Sequence, residues 1–248
     1  VNNKLLNQQD YWNSLSNLDP DASVIDPKDN LGFKNAYIAG VRDCCFSKYI
    51  EKVGSAGVLL DFGCGTGSAT VGLLKQGCQV IGVDISENLL QIARQRCNQS
   101  ASVFVLIDGA SIPFRAGSFS AAVDYVVLSY VIDNERVVQL LREIRRVLQS
   151  GASFAMIEQT RRKRIEVEPG LKVQRTQDEW CNIFELAGFK CVSSRVVRYG
   201  QFPFTYFIRY GCMPKFFWPI LMRVERLVGH FFGVLPWGYA EVFYEVKA

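Results

Sequence analysis

The stretch LLDFGCGTGSATVGLLKQGCQVIGVDIS, residues 59–86, constrains the fold more than any other part of the chain. An apolar run, GVLLDF (57–62), leads into Gly63, Gly65 and Gly67 at alternate positions, and a second apolar run, CQVIGVD (78–84), ends on Asp84. Short apolar runs bounded by turn signals read as buried strands, and the periodic segment 69–76 between them reads as a helix stopped by Gly77. A glycine takes positive φ at no steric cost and leaves no Cβ between the backbone and a bound molecule. The helix that follows such a loop adds unpaired N–H groups. A nucleotide-like ligand is therefore expected at 63–67. The spacing is G-x-G-x-G: the third position of a dinucleotide fingerprint, G-x-G-x-x-G, is filled here by Ser68. Asp84 stands at a strand end, where its carboxylate can accept hydrogen bonds from both hydroxyls of a ribose. Its structural alternative is a surface residue capping a helix.

The rest of the chain continues the alternation. Ser86 is placed to cap the helix ENLLQIARQRC, with Glu87 in its first turn. SVFVLI (102–107), FSAAVDYVVL (119–128) and SFAMIE (153–158) read as strands. Val137, Leu140, Leu141, Ile144, Val147 and Leu148 fall on one face of a helix before Gly151. A further helix is expected over 177–188, and strands over 189–199 and 239–247. Strands alternating with helices imply parallel βαβ units and a doubly wound α/β sheet. Ligands in such sheets sit beyond the carboxyl ends of the strands.

Composition narrows the classes. The chain has 248 residues, with 28 basic against 24 acidic, a balance too even to imply nucleic acid. Eight cysteines form no C-x-x-C pair and there is one histidine, so no zinc site is expected. Scattered thiols in apolar runs suit buried packing in a reducing compartment, and a cytoplasmic location is expected. No uncharged apolar stretch is long enough to span a bilayer.

The segments VLLDFGCGTGSAT, VIGVDISENLLQIARQR, DGASIPFRAGSFSAAV and LREIRRVLQSGASFAMIEQ resemble, in order, the motifs of class I S-adenosylmethionine-dependent methyltransferases, and most of all the branch acting on small-molecule and lipid-like acceptors. The resemblance covers about residues 55–160. It implies a mostly parallel, Rossmann-like, seven-stranded sheet with an antiparallel last pair. It also implies roles. Asp61 and the loop Gly63, Cys64, Gly65 and Gly67 would face the methionine part of S-adenosyl-L-methionine. Asp84 would hold the ribose and Ile85 would pack on the adenine. Asp108 would bind the adenine amino group beside Gly109 and Ala110, and Leu128 and Ser129 would lie under the sulfonium.

Methyl transfer from a sulfonium is an in-line displacement from an already activated donor, so alignment is the protein's main task. An oxygen acceptor of high pKa also needs a base within hydrogen-bond reach. Many relatives carry L-H-H after the fourth strand; this chain has Leu128-Ser129-Tyr130, without the histidines. Glu158, at the end of the fifth strand, Tyr130 and His230 are the remaining catalytic candidates, each with a structural alternative: a loop-holding carboxylate, a pocket wall and a packed histidine. Asp133 reads as the N-cap of the long helix.

Residues 1–50 read as a helical lid, with Tyr37 and Lys34 within reach of the cofactor or acceptor, or else packed and solvated. Residues 51–199 and 239–248 form the cofactor-binding core. Residues 200–238, rich in aromatic and aliphatic side chains, form an insertion with a helix around 215–232. It is expected to cap the acceptor pocket, enlarge the core, or rest on a membrane or dimer partner. RRKR (161–164) is either a phosphate grip or a solvated loop. The expected activity is methyl transfer to a small-molecule acceptor, a hydroxyl oxygen of a sugar or natural product, by a monomer or homodimer. A cofactor-binding accessory protein without turnover is the alternative, and the glycine spacing disfavours a Rossmann oxidoreductase.

Overall fold

The computed structural model describes the chain except Val1, residues 98–100, Pro169 and Trp237, and it describes side chains except those of 2–7 and Glu168. The expected strands form as β1 (Val58–Phe62), β2 (Gln79–Asp84), β3 (Ser102–Leu106), β4 (Phe119–Tyr125) and β5 (Leu148–Thr160). A small hairpin of β6 (Ile165–Glu168) and β7 (Lys172–Gln174) follows, and then β8 (Lys190–Tyr199) and β9 (Ala240–Lys247). The main sheet has the order β3-β2-β1-β4-β5-β9-β8. Pairings among β1 to β5 are parallel, whereas β9 runs antiparallel to both β5 and β8. This is the expected seven-stranded architecture with one reversed strand. The chain reverses direction across the sheet between β1 and β4, which opens a crevice at their carboxyl ends.

Alternation along the central strands divides the core. Leu60, Ala122, Phe154 and Met156 join one apolar cluster, with Val137, Leu141 and Ile144 of helix α6 (Asn134–Val147) and Trp180 of α7 (Gln177–Leu186). Leu59, Ala121, Ala155 and Ile157 join a second, with Tyr37, Phe46 and Tyr49 of α3 (Phe33–Val53), Leu73 of α4 (Ser68–Leu74) and Trp218 of α9 (Trp218–Phe232). Successive strand residues thus meet helices on opposite faces, as a doubly wound sheet requires.

Helix starts follow their caps. Ser86 accepts from the Leu89 N–H at the start of α5 (Glu87–Arg96). Asp133 accepts from the Glu135 N–H ahead of α6, and Thr176 with Glu179 forms a capping box on α7. Ahead of the sheet lie α1 (Asn2–Leu15) and α2 (Pro20–Val24). The insertion holds α8 (Pro203–Arg209), unexpected from its sequence, as well as α9.

The described cysteines are all free. Cys45, Cys64, Cys78 and Cys97 are buried, Cys44 is half-buried, and Cys181, Cys191 and Cys212 are exposed. The last three sit on surface positions of α7, β8 and the α8–α9 turn.

Candidate active site

A cavity of about 350 Å³ opens at the crevice between β1 and β4. Its floor is the glycine loop. The Gly63 and Cys64 N–H groups both donate to the Val83 carbonyl, at 2.8 and 3.0 Å, which folds the loop back over the end of β2. Gly63 has φ 68°, and a Cβ there would lie 2.3 Å from Val127 Cγ2. Gly65 has φ 53°, and a Cβ would lie 2.7 Å from Val24 Cγ1. Both positions need positive φ and both are closely covered, so the loop tolerates no side chain. Gly63→Ala is expected to lower the unfolding free energy by about 1–3 kcal/mol through strain and overpacking, read as a fall in thermal midpoint.

Asp84 closes one wall. Its carboxylate accepts from the Gly65 N–H at 2.8 Å and from the Ser86 N–H at 2.9 Å, and it borders the cavity. Burial raises its pKa, and these backbone donors oppose the rise. Each carboxylate oxygen keeps a lone pair for a further donor. Beside it Ile85, Ile107 and Leu140 make an apolar slot, with the Gly109 backbone at its rim. Arg136 donates to the Gly109 carbonyl at 2.7 Å and holds that rim in place.

The opposite wall comes from β4 and the segment after it. Tyr125, Val126, Val127 and Tyr130 border the cavity. Val126 has φ 58°, a conformation costly for a β-branched residue, and its N–H donates to the Ile157 carbonyl at 2.8 Å. This forced turn swings the chain outward, so Val126 and Val127 face the space beneath the glycine loop. Leu128 and Ser129 turn inward and are fully buried in a 3-10 turn, Leu128–Tyr130. Leu128 and Ser129, expected under the sulfonium, therefore do not border the cavity, whereas Val126 and Val127 do. Nothing in the sequence marked that reversal, because valine is among the residues least suited to positive φ.

Five further expected cofactor contacts lie off the cavity wall. Asp61 is buried and accepts from Thr70 Oγ1 at 2.6 Å; burial raises its pKa to about 6, against the pull of Thr70 and Arg42. It braces the start of α4 from beneath and does not border the cavity. Cys64 and Gly67 likewise support the loop from behind: Cys64 is buried, and Gly67 starts α4 with φ 72°. Asp108 is exposed and folds its carboxylate onto the Ala110 and Ser111 N–H groups, which lowers its pKa. It shapes the loop that carries Gly109, while Ala110 stays off the cavity wall.

The catalytic candidates separate clearly. Glu158 is fully buried and accepts from the Leu128 N–H at 2.8 Å, the Ser129 N–H at 3.1 Å and the Ser129 hydroxyl. It holds the 3-10 turn and does not reach the cavity, so an acceptor contact is replaced by a positioning role. His230 is exposed on α9, beside Phe231 and apart from the cavity lining. Tyr130 borders the cavity; the Lys172 ammonium donates to its hydroxyl at 3.2 Å and Trp12 meets its ring edge-on at 4.7 Å. Gln8 Nε2 also donates to the Tyr130 carbonyl.

The lid is made by different residues than expected. Gln8 and Trp12 of α1 and Val24 of α2 border the cavity. Helix α2 is fixed on the glycine loop by Thr66, which donates to the Pro20 carbonyl at 2.9 Å, and by Asp21, which accepts from Ser68 and Arg96. Tyr37 instead donates to Glu225 at 2.6 Å and packs on Trp218, joining α3 to α9. Lys34 pairs with Asp26. Neither reaches the cavity. Among the described residues none of 200–238 lines it either, so the expected cap is not formed by them. Within the basic run, Arg161, Arg162 and Arg164 bond to Gln174, the Val234 carbonyl and Glu179, as structural ties. Arg175, unmarked by any motif, is buried and donates to the Leu128, Val131 and Ile132 carbonyls, fixing the wall from outside.

Residues 60–156 match the family model described as a methyltransferase domain. Over 103 residues the chain is 33% identical to tRNA (carboxymethyluridine(34)-5-O)-methyltransferase alkbh8 of Xenopus tropicalis, covering 42% of this chain and 15% of that protein. Over 101 residues it is 33% identical to demethylmenaquinone methyltransferase of Tropheryma whipplei, covering 40% and 41% of the two. The matched segment thus spans less than half the length of these curated relatives. Geranyl diphosphate C-methyltransferase from Streptomyces coelicolor has the same fold, with a TM-score of 0.66, 14% identity and coverage of 98% and 97%. Sheet order and domain match agree: residues 60–156 match a methyltransferase domain, set in the seven-stranded fold that holds S-adenosylhomocysteine in the geranyl diphosphate C-methyltransferase.

The residues present fit that cofactor. Gly63 and Gly65 border the cavity with bare backbone, Asp84 offers carboxylate acceptors on the same wall, and Ile85, Ile107 and Leu140 make an apolar slot that suits an adenine ring. Among the described residues no cluster could hold a metal ion.

Proposed function

We propose that the protein methylates a small-molecule acceptor, at a hydroxyl oxygen of a sugar or natural product, with S-adenosyl-L-methionine as donor. The observation that carries this reading is the position of Tyr130, which shares one cavity with the glycine cradle and Asp84. When bound, the cofactor supplies a methyl group on a positively charged sulfur. The chain does the rest. Asp84 and Gly65 fix the adenosine end, and Val126 and Val127 form a dry floor under the transferred group. Trp12, Tyr125 and Tyr130 offer aromatic faces to the acceptor ring. The Tyr130 hydroxyl, held by Lys172, accepts the hydrogen bond of the acceptor hydroxyl and aims its oxygen along the line of displacement; as the oxygen–methyl bond forms, the acceptor's proton passes to Tyr130 while the Tyr130 proton leaves to solvent.

Tritium-labelled donor incubated with a panel of hydroxylated sugars and phenols tests this reading. Transfer to at least one of them is the expected result, and label that enters only RNA or nothing contradicts it. Tyr130→Phe is expected to lower kcat by about 10- to 100-fold while leaving the affinity for S-adenosylhomocysteine unchanged. An unchanged kcat would remove Tyr130 from the reaction.

A further inference from the structure

The insertion between β8 and β9 carries a surface that methyl transfer does not use. Helix α9 turns Trp218, Leu221 and Glu225 inward. Glu225 anchors it there, accepting from the Tyr37 hydroxyl and from the Tyr199 N–H at 3.1 Å. The outer face is apolar: Phe216, Ile220, Val224, Leu227 and Phe231 follow one another at three- and four-residue steps, all exposed, with Phe216 at 72% and Phe231 at 74%. Helix α8, which packs on α3, exposes further rings, Phe207 and Tyr206, the latter at 71%. Phe33 adds another, since its ring lies against Gly211 at the end of α8. A patch of this size on a surface marks a contact with something else.

Charge selects the occupant. By the 3.6-residue repeat, Arg223, Arg226 and His230 follow one edge of the stripe, and exposed Lys215 lies over Trp218 just ahead of it. The only acidic residue of 200–238 is Glu225, which is buried and already bonded. A second copy of the chain docked on this face would bring basic edges together with no carboxylate from the insertion to offset them. An anionic lipid surface supplies the missing charge. Aromatic rings with a basic flank, on a helix too short to cross a bilayer, have the form of an interfacial helix.

We propose that α8 and α9 dock the protein peripherally on an anionic bilayer, with the Phe216–Phe231 stripe in the headgroup–acyl boundary and Lys215, Arg223 and Arg226 on lipid phosphates. Insertion of the rings supplies the apolar part of the binding and the basic edge supplies selectivity for negative membranes. The surface is separate from the cavity, so docking and cofactor binding are measured independently.

Co-sedimentation of the full chain with phosphatidylcholine–phosphatidylglycerol vesicles tests the proposal, with pure phosphatidylcholine vesicles as the comparison. Binding to the anionic vesicles, weakened by salt, is expected. The double variant Phe216→Ser/Phe231→Ser is expected to lower the partition coefficient at least about tenfold, and Lys215→Glu/Arg223→Glu about tenfold or more. Each variant should keep the wild-type affinity for S-adenosylhomocysteine, and Phe216→Ser/Phe231→Ser also the wild-type thermal midpoint, because both rings are exposed. Absence of binding at low salt, equal partition into both vesicle types, or variants that bind like wild type would each overturn it. So would a solution dimer that Phe231→Ser dissociates while vesicles are ignored, which would assign the face to a second copy.

Discussion

Asp84→Ala is expected to weaken binding of S-adenosylhomocysteine by about 10- to 100-fold, the equivalent of one or two charge-assisted hydrogen bonds. The carboxylate acts twice. It orders the glycine loop through the Gly65 N–H and the start of α5 through the Ser86 N–H, and it keeps lone pairs for the ribose hydroxyls. Alanine removes both actions. Isothermal titration reads the affinity, and a thermal melt without ligand separates the loop-ordering part. Ligand affinity should also fall as the solution is acidified. Burial raises the Asp84 pKa above its ordinary value, so the carboxylate is lost earlier on acidification than a free aspartate would be. An alanine variant that binds as tightly as wild type would take Asp84 out of the cofactor site.

Glu158→Ala is expected to cost about 3–5 kcal/mol of stability, because it strips the donors of the 128–129 turn of their buried acceptor. For a chain of this size that is a fall of roughly 6–20 °C in thermal midpoint. The contrast is Asp124→Asn. Asp124 Oδ1 accepts from the Val127 N–H at 3.0 Å, whereas Oδ2 is buried without a donor and faces the Glu158 carboxylate. Burial first, and the Glu158 charge second, raise the Asp124 pKa well above the carboxylate range, so Asp124 holds the proton of the pair. Asparagine reproduces that donor, and the variant should melt close to wild type at neutral pH. The sign of the pH dependence follows. The folded state retains a proton that the unfolded chain releases near pH 4. The stability tied to that proton is full below about pH 4 and is lost as pH rises through the raised folded-state pKa. Thermal midpoints of wild type should therefore decline over that window more steeply than those of Asp124→Asn. Parallel slopes would show that Asp124 is ionised in the folded protein.

These two carboxylates also show what the sequence could and could not reveal. The cradle was legible because its chemistry is local: alternate glycines, a strand on each side, and an acid at a strand end leave few arrangements. The sheet was legible from apolar runs and caps, including Ser86 and Asp133, which the structure uses as expected. Glu158 sits at the end of its strand as expected, yet it looks away from the cavity. The deciding event is the positive φ of Val126, which turns Leu128 and Ser129 inward onto it. That conformation opposes local preference and is imposed by tertiary contacts, so no propensity reports it. Tyr37 and the insertion were misplaced for a related reason. Their apolar composition marks burial or contact but not the partner, and Glu225 draws both toward each other and away from the cavity. The lid was expected over 1–50, but Trp12 and Val24 as its contact residues were not, because α1 is tied to the site through Ser86 and α2 through Thr66, Ser68 and Arg96, far along the chain.

The cradle at 63–67 and Asp84 as an adenosine site are tested most directly by calorimetric titration of the full chain with S-adenosylhomocysteine. A single saturable binding event is expected, with a thermal midpoint raised by about 5–10 °C at a hundredfold excess over Kd. A folded protein that gives no heat and no shift in midpoint would contradict the assignment.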